Sequence, residues 1–252
     1  MKRKTIKTPQ TLKGVGIHTG EVCSITFKPS EQGYISFIRT DLKAEPIIAL
    51  AKNVSSTLRG TNIANEKAEV HTIEHVLSAA NGLGITDLII EMDGPEPPIM
   101  DGSSLPYAKA MLEGELKEID QTAEVLHLEK EITFQDGDIT YTANPCQDFK
   151  ITFVYERKGH PLVSHQEYTF TLTPESYLKE IAPARTFGFE EEIAFLQANG
   201  LAKGGSLENC VVIKKDGFSV PLRFDNEMVR HKILDLLGDL KLTGKVLGPM
   251  HI

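Results

Sequence analysis

Two stretches of the sequence, HTIEHVLSAANGLG (residues 71–84) and EMVRHKILDLLGDL (residues 227–240), predict a pair of related helices. Both contain helix-forming residues with apolar side chains at helical spacing, and the glycines that end the first stretch are a common stop signal. An offset of 160 residues aligns three identical pairs, namely His71 with His231, Leu77 with Leu237 and Gly84 with Gly244. The sequence therefore indicates an internal duplication.

Segments with the alternation or apolar content of strands surround both helices. In the first half, residues 22–27 and 34–39 predict a hairpin, residues 88–92 predict a strand, and residues 107–116 predict a second helix. In the second half, four strands are predicted before the helix, at residues 131–143, 150–155, 168–172 and 210–213. The two halves therefore share an order of strands followed by a helix.

These elements predict an α+β fold with two domains of related topology. Each domain is expected to contain a mainly antiparallel sheet and a helix layer, with the helices packed between the two sheets. The polar segment 113–122 is the predicted linker, so the expected domains are residues 1–120 and 121–252. An insert is expected in the second domain at about residues 161–205.

Composition and charge exclude several classes of protein. The 252 residues include 27 Lys and Arg against 35 Asp and Glu, a net charge of −8, which argues against nucleic acid as a partner. Three cysteines without a C-x-x-C spacing argue against a disulfide framework and indicate the cytoplasm. The sequence predicts neither a secretory signal nor an integral membrane segment, because no apolar run approaches about 18 residues. A monomer is expected.

The helix at residues 227–240 carries a spacing that is typical of metal ligands. His231 and Asp235 are four residues apart and therefore share one helix face. One further ligand from the first helix, where Glu74 and His75 precede an apolar segment, would leave a fourth position open, as in catalytic zinc sites. Imidazole and carboxylate donors favour zinc over calcium or magnesium, and iron(II) stays open.

A second interpretation starts from the first helix alone. Residues 71–75 read H-x-x-E-H, the signature of the inverzincin proteases. In that case His71 and His75 would bind zinc and Glu74 would activate water. This interpretation is less favoured because it leaves His231 and Asp235 without a function.

Seven segments that span nearly the whole chain carry a resemblance to one family, namely GVGIHTG (14–20), TIEH (72–75), GLGI (82–85), DGPEPPIMDG (93–102), ARTFGF (184–189), GGS (204–206) and RHKILDLLGD (230–239). Together and in this order they resemble the zinc-dependent UDP-3-O-acyl-N-acetylglucosamine deacetylases, which act in lipid A synthesis of Gram-negative bacteria. The resemblance implies hydrolysis of the acetamide of UDP-3-O-acyl-N-acetylglucosamine, with release of acetate.

The resemblance also implies the roles of the metal site. His75, His231 and Asp235 would bind Zn²⁺, and Glu74 would be the general base that takes a proton from the attacking water. Thr186 looks like the family residue whose hydroxyl supports the developing oxyanion.

Further matches imply contacts with the substrate. Lys232 and His18 match positions that contact the sugar nucleotide, and Asp101 matches a supporting residue of the substrate site. Phe187 begins the region where the family lines a passage for the acyl chain. Asp239 resembles the carboxylate that orients a catalytic histidine, the general acid for the leaving amine.

The sequence departs from the family pattern at this general acid. The family histidine lies in a Gly-His segment beyond the second helix, and no such segment precedes Ile252. Three interpretations stay open: the chain is C-terminally truncated, which is favoured; Asp239 has lost its partner; or His251 replaces the acid. A truncated homologue that binds the nucleotide with little turnover is therefore the alternative to an active enzyme.

Overall fold

The computed structural model describes all 252 residues. Its α-helices are α1 (Glu74–Gly82), α2 (Leu105–Glu113), α3 (Pro174–Ser176), α4 (Glu190–Ala198) and α5 (Glu227–Lys241). A 3-10 turn covers Ala51–Asn53, and a π-helical turn at Tyr177–Ile181 continues α3. The longest helix, α5, has 15 residues, and no helix provides an apolar segment that could span a bilayer.

The strands of the first half are β1 (Lys2–Ile6), β2 (Gln10–Val15), β3 (Val22–Lys28), β4 (Ile35–Arg39), β5 (Ile47–Ile48), β6 (Val54–Ser56), β7 (Asn62–Ala64), β8 (Glu69–Val70), β9 (Leu88–Met92) and β10 (Leu116–Thr122). The remaining strands are β11 (Val125–Leu126), β12 (Ile132–Asp136), β13 (Ile139–Pro145), β14 (Phe149–Glu156), β15 (His165–Thr171), β16 (Phe187–Phe189), β17 (Val211–Ile213), β18 (Val246–Leu247) and β19 (Met250–His251).

Two five-stranded sheets have the same topology. The first has the order β2-β3-β9-β4-β5, and the second has the order β12-β13-β19-β14-β15. In each sheet the central strand, β9 or β19, is antiparallel to one neighbour and parallel to the other. Each central strand also follows one of the two main helices, α1 or α5. The predicted α+β fold with two halves of related topology is therefore confirmed.

Residues that are aligned by the offset of 160 have equivalent structures at the C-terminal ends of the two helices. Gly84 and Gly244 both have positive φ, 69° and 74°, and both end the turn that follows their helix. Leu77 and Leu237 are both completely buried. His71 differs from its counterpart, because it precedes α1 and is not helical. The duplication is therefore structural, but it does not place these two histidines in equivalent positions.

The helices α1 and α5 lie between the two sheets. All nine residues of α1 are buried, and α1 contacts α5, which in turn packs on β14 and β15. One continuous apolar core contains residues of both sheets and both helices, among them Phe37, Leu77, Ile151 and Leu237. Because burial of apolar side chains is the main stabilising contribution to folding, this shared core fixes the two helices relative to each other.

A glycine permits the close approach of α1 and α5, and its replacement is a test of that contact. A Cβ atom built on Gly238 would lie 2.1 Å from the backbone oxygen of Glu74. We expect Gly238→Ala to lower the free energy of unfolding by about 3 kcal/mol, because the helices must separate. Urea denaturation measures this change. Gly217→Ala is the matched control, since nothing lies within 4 Å of its Cβ position; equal stability of both variants would contradict the prediction.

One prediction about the first half was wrong. Residues 22–27 and 34–39 do not form a hairpin, because β9 lies between β3 and β4. The buried side chains of Leu88, Ile90 and Met92 make β9 suited to the central position. The predicted linker contains a strand, since its residues 116–122 form β10 and pair with β1; its role as a linker stays a prediction. Its polar composition reflects a strand with mostly exposed side chains.

Three predicted boundaries also change. The second helix, α2, is shifted and ends at Glu113, before Gly114. The single strand predicted at residues 131–143 is a hairpin, β12-β13, with Gly137 at positive φ in its turn. The insert contains a compact β16-α4-β17 unit with parallel strands at residues 187–213, whereas β15 belongs to the main sheet. The division into domains 1–120 and 121–252 stays a prediction.

Candidate active site

Three predicted metal ligands, one from α1 and two from α5, meet at the contact between these helices. The Nε2 atoms of His75 and His231 lie 3.6 Å and 3.4 Å from the same oxygen, Oδ1 of Asp235. One donor atom from each of these residues lies within 4.8 Å of the others, and this is the only such group in the chain. The distances exceed those of direct hydrogen bonds and leave room for an ion among the three side chains.

The histidine rings are oriented for ligation. His231 donates a hydrogen bond from Nδ1 to the backbone oxygen of Ala184 at 3.0 Å, so its Nε2 lone pair points to Asp235. His75 is 4 % exposed, and its Nδ1 has no hydrogen-bond partner. The Nε2 atom of the same ring faces Oδ1 of Asp235. The two Nε2 atoms and Oδ1 of Asp235 therefore converge, and this donor set fits a bound divalent metal.

The charges at the site match the protonation state that metal binding requires. Burial and the neighbouring His231 lower the pKa of His75 to about 3, and burial lowers that of His231. Burial acts to raise the pKa of Asp235, but the charges of His231, Lys232 and His75 outweigh it and lower this pKa to about 2. At neutral pH the site therefore offers two neutral imidazoles and one carboxylate. Such donors suit zinc and related transition metals.

Glu74 lies beside this group at the first position of α1. Its Oε2 accepts a hydrogen bond from the backbone N–H of Thr61 at 2.8 Å. Burial and the charge of Asp235 raise the pKa of Glu74 to about 8. A carboxylate of high pKa next to a metal site is suited to accept a proton.

Asp239 lies one turn beyond Asp235 and is linked to Glu74 through Thr61. The hydroxyl of Thr61 donates to Oδ1 of Asp239 at 2.6 Å, while its backbone N–H binds Glu74. Asp239 is exposed and lines the cleft. Sequence reasoning missed Thr61, and no local signal marks it, because its partners are distant in the sequence.

Lys232 is directed at the metal ligands. Its Nζ lies 3.0 Å from Oδ2 of Asp235, whose charge raises the pKa of the ammonium group. The same Nζ lies 5.5 Å from the centre of the Phe187 ring, which contacts the His231 ring edge to face at 6.1 Å. Lys232 and Phe187 therefore lie at the mouth of the site, where a substrate group can reach them.

The loop that carries Thr186 is held by backbone hydrogen bonds. The N–H of Thr186 donates to the oxygen of Gly102 at 2.8 Å, and its oxygen accepts from Val211 at 2.9 Å. Thr186 lines the same cleft as the metal ligands and Glu74.

One cleft of about 1570 Å³ unites most of the predicted site residues, and this volume exceeds that of ordinary drug-sized pockets. It is lined by nine of the ten predicted residues: His18, Glu74, His75, Thr186, Phe187, His231, Lys232, Asp235 and Asp239. Its apolar wall comes from sheet and insert residues, among them Phe153, Tyr155, Ile193 and Leu196. The cleft therefore combines a polar floor with an apolar wall.

Three other histidines were singled out by the sequence. His71 does not line the cleft and lies 3.3 Å from Glu69, so the H-x-x-E-H protease interpretation is wrong. His18 lies at the rim of the cleft, and its ring contacts the backbone of Arg59 and Ala202. His251 also lines the cleft, and its Nε2 lies 2.8 Å from the hydroxyl of Thr152.

Asp101 is the predicted site residue that does not line the cleft. Its carboxylate accepts from the hydroxyl of Ser103 at 2.7 Å and from Arg223 at 2.8 Å. A second acidic residue of the same motif was missed: Glu96 is 1 % exposed and accepts hydrogen bonds from His18, Thr19 and Thr72. Its position in the Pro-rich motif was a signal, but its partners could not be predicted.

Comparisons with known proteins point to one family. The family model described as "LpxC: UDP-3-O-acyl N-acetylglycosamine deacetylase" matches residues 3–251. A protein of Leptospira biflexa named UDP-3-O-acyl-N-acetylglucosamine deacetylase is 42% identical over 247 residues, which cover 96% of this chain and 82% of that protein. A protein of the same name from Citrifermentans bemidjiense is 42% identical, and the match covers 96% of this chain and 80% of that protein. Another from Campylobacter hominis is 39% identical, and the match covers 97% of this chain and 83% of that protein.

Proposed function

The chain belongs to the family of UDP-3-O-acyl-N-acetylglucosamine deacetylases, and we propose that it hydrolyses the acetamide of UDP-3-O-acyl-N-acetylglucosamine at the cleft between α1 and α5. This reaction releases acetate and is the committed step of lipid A synthesis. One observation carries the assignment of the site: His75, His231 and Asp235 converge beside Glu74 on the floor of one cleft. All these residues come from one chain, so we propose a monomer as the functional unit.

We propose His75, His231 and Asp235 as the ligands of a catalytic zinc ion. Two imidazoles and one carboxylate support zinc, and a zinc ion held by these three donors would keep a coordination position for water or substrate. When bound, zinc polarises the acetamide carbonyl and lowers the pKa of water towards about 7. The hydrogen bond from His231 to Ala184 keeps the imidazole in the tautomer that this role requires.

In the proposed mechanism Glu74 is the general base. The Thr61 N–H fixes one carboxylate oxygen, and the other is free to take a proton from the attacking water. Thr61 also ties Asp239 to this arrangement. The hydroxyl of Thr186 is proposed to stabilise the oxyanion that forms from the carbonyl.

Three more of the predicted residues are assigned to substrate binding. The cation of Lys232, at the mouth of the site, suits the negative charge of the sugar nucleotide. Phe187 and the apolar wall of the cleft suit the acyl chain, because its burial releases apolar surface from water. His18 is proposed to contact the nucleotide at the rim. We place the reaction in the cytoplasm, where three cysteines that form no disulfide stay reduced.

The test is acetate release from UDP-3-O-acyl-N-acetylglucosamine by the full chain with one equivalent of zinc. We expect turnover that a chelator abolishes and that added zinc restores. UDP-N-acetylglucosamine without the acyl chain is the matched control and should react far more slowly, because the apolar wall is then unused. Calorimetric binding of the acylated nucleotide without acetate release would favour the alternative of a binding protein with little turnover.

Thr186→Val tests the assignment of the oxyanion donor. The two side chains have similar volumes, so the substitution removes the hydroxyl and little else. We expect kcat to fall by about 100-fold with KM within about twofold, since the interaction is made in the transition state. Steady-state kinetics measure both constants. Thr26→Val, in β3 outside the cleft, is the control, and a kcat of Thr186→Val equal to that of the control would remove Thr186 from the mechanism.

A further inference from the structure

Glu227, the first residue of α5, is a completely buried carboxylate that the proposed mechanism does not use. Its Oε1 accepts from the backbone N–H and from Nε of Arg185, at 3.0 Å and 2.8 Å. Its Oε2 accepts from Nη2 of Arg185 at 3.1 Å and from the backbone N–H of Arg223 at 2.7 Å. Four donors therefore fix one carboxylate in place.

The segment that Glu227 holds contains two groups of the active site. Arg185 lies between Ala184 and Thr186, and the backbone N–H of Arg185 is itself bonded to Glu227. The oxygen of Ala184 accepts the Nδ1 hydrogen bond of His231. A shift of residue 185 would therefore move both the group that orients a metal ligand and the proposed oxyanion donor.

The same network extends to the first half of the chain. Arg223, whose N–H binds Glu227, donates from Nη2 to Asp101 at 2.8 Å and from Nη1 to the oxygen of Pro183. Asp101 does not line the cleft, but hydrogen bonds through Arg223 and Glu227 connect it to the segment that carries Thr186. Burial acts to raise the pKa of Glu227, but Arg185 and the two backbone N–H groups outweigh it and lower this pKa. The carboxylate is therefore charged at neutral pH and depends on these partners.

We propose that Glu227 is a positioning residue for the deacetylase reaction. It holds residues 184–186 so that the Ala184 oxygen keeps a proton on Nδ1 of His231 and leaves Nε2 free, and so that Thr186 stays in the cleft. The effect on metal binding rests on the proposed function, because it requires His231 to be a ligand. The effect on the His231 tautomer does not depend on any metal.

A purely structural role is the competing explanation, and a second buried ion pair provides a matched control. The Asp87 side chain is completely buried and accepts from Nε of Arg3 at 3.0 Å, from the hydroxyl of Thr86 at 2.7 Å and from the backbone N–H of Gly33. None of these four residues lines the cleft. Asp87→Asn therefore removes a comparable buried charge without touching the segment 184–186.

The experiment compares Glu227→Gln with Asp87→Asn in the full chain. Thermal unfolding reports stability, competition with a chelator gives the zinc Kd, and ¹⁵N NMR of the metal-free protein gives the His231 tautomer. We expect both variants to be less stable than the wild type. Only Glu227→Gln should raise the zinc Kd, by about 10- to 100-fold, and populate the second tautomer of His231.

Several outcomes overturn or separate the proposals. A zinc Kd and a His231 tautomer that match those of Asp87→Asn would show that Glu227 has only a structural role. If Glu227→Gln does not fold, Arg185→Lys keeps the charge but loses the planar fork, and an unchanged zinc Kd and tautomer in that variant would also overturn the proposal. A wild-type chain that binds no zinc would contradict the proposed function, while the tautomer comparison would still decide the role of Glu227.

Discussion

Replacing Glu74 with glutamine is expected to lower kcat by about 10³-fold while the zinc content stays near one equivalent per chain. Glutamine can still accept the hydrogen bond from Thr61, so the local structure is retained. The amide cannot take a proton, and the loss of a general base typically costs about 10²- to 10⁴-fold in rate. Acetate release and metal analysis on the same sample measure the two quantities.

The exposed glutamate at the end of α2 provides the control for this prediction. Glu113 forms no ion pair and lies outside the cleft, so Glu113→Gln should have wild-type kcat. Activity of Glu74→Gln within about tenfold of the wild type would remove Glu74 as the base. Loss of zinc from Glu74→Gln would instead mean that Glu74 supports the metal site and not proton transfer.

The second large effect is expected for His231→Ala, which should weaken zinc binding by more than about 100-fold and abolish acetate release. One of three protein ligands is removed, and even residues that only orient ligands contribute about 10- to 100-fold to metal affinity. The substitution also leaves Asp235 with one fewer compensating partner in a buried site. Zinc affinity by chelator competition and activity at saturating zinc test both parts of the prediction.

His71→Ala is the matched control for this ligand. The offset of 160 residues aligns His71 with His231, but His71 lies outside the cleft and beside Glu69. We expect its replacement to leave zinc affinity and activity unchanged. Zinc loss in His71→Ala with zinc retained in His231→Ala would reverse the ligand assignment.

The two main helices were predictable because the signals that form them are local. Apolar spacing and the turns at Gly84 and Gly244 depend on neighbouring residues, and they placed α1 and α5 within a few residues of their observed limits. The i, i+4 spacing of His231 and Asp235 placed both on one helix face for the same reason. Segment order along the chain carried the family resemblance, which the comparisons confirm.

Strand pairing was not predictable in the same way. The residues of β3 and β4 are consistent with a hairpin, and only the burial of β9 explains why this later strand separates them. The polar segment that forms β10 likewise gives no sign of strand pairing until its partner β1 is known. A strand obtains its hydrogen bonds from remote residues, so its neighbours in the sequence do not specify them.

The sequence by itself determined the family, the two helices and the identity of the candidate ligands. Tertiary structure alone decided that His75 meets His231 and Asp235 and that His71 does not. It also decided that Thr61 fixes Glu74 within the cleft and that Glu227 holds residue 185 from outside the cleft. The physical reason is that helix formation depends on local backbone preferences. The position of a buried polar group depends on which remote donors can satisfy it once the core has packed.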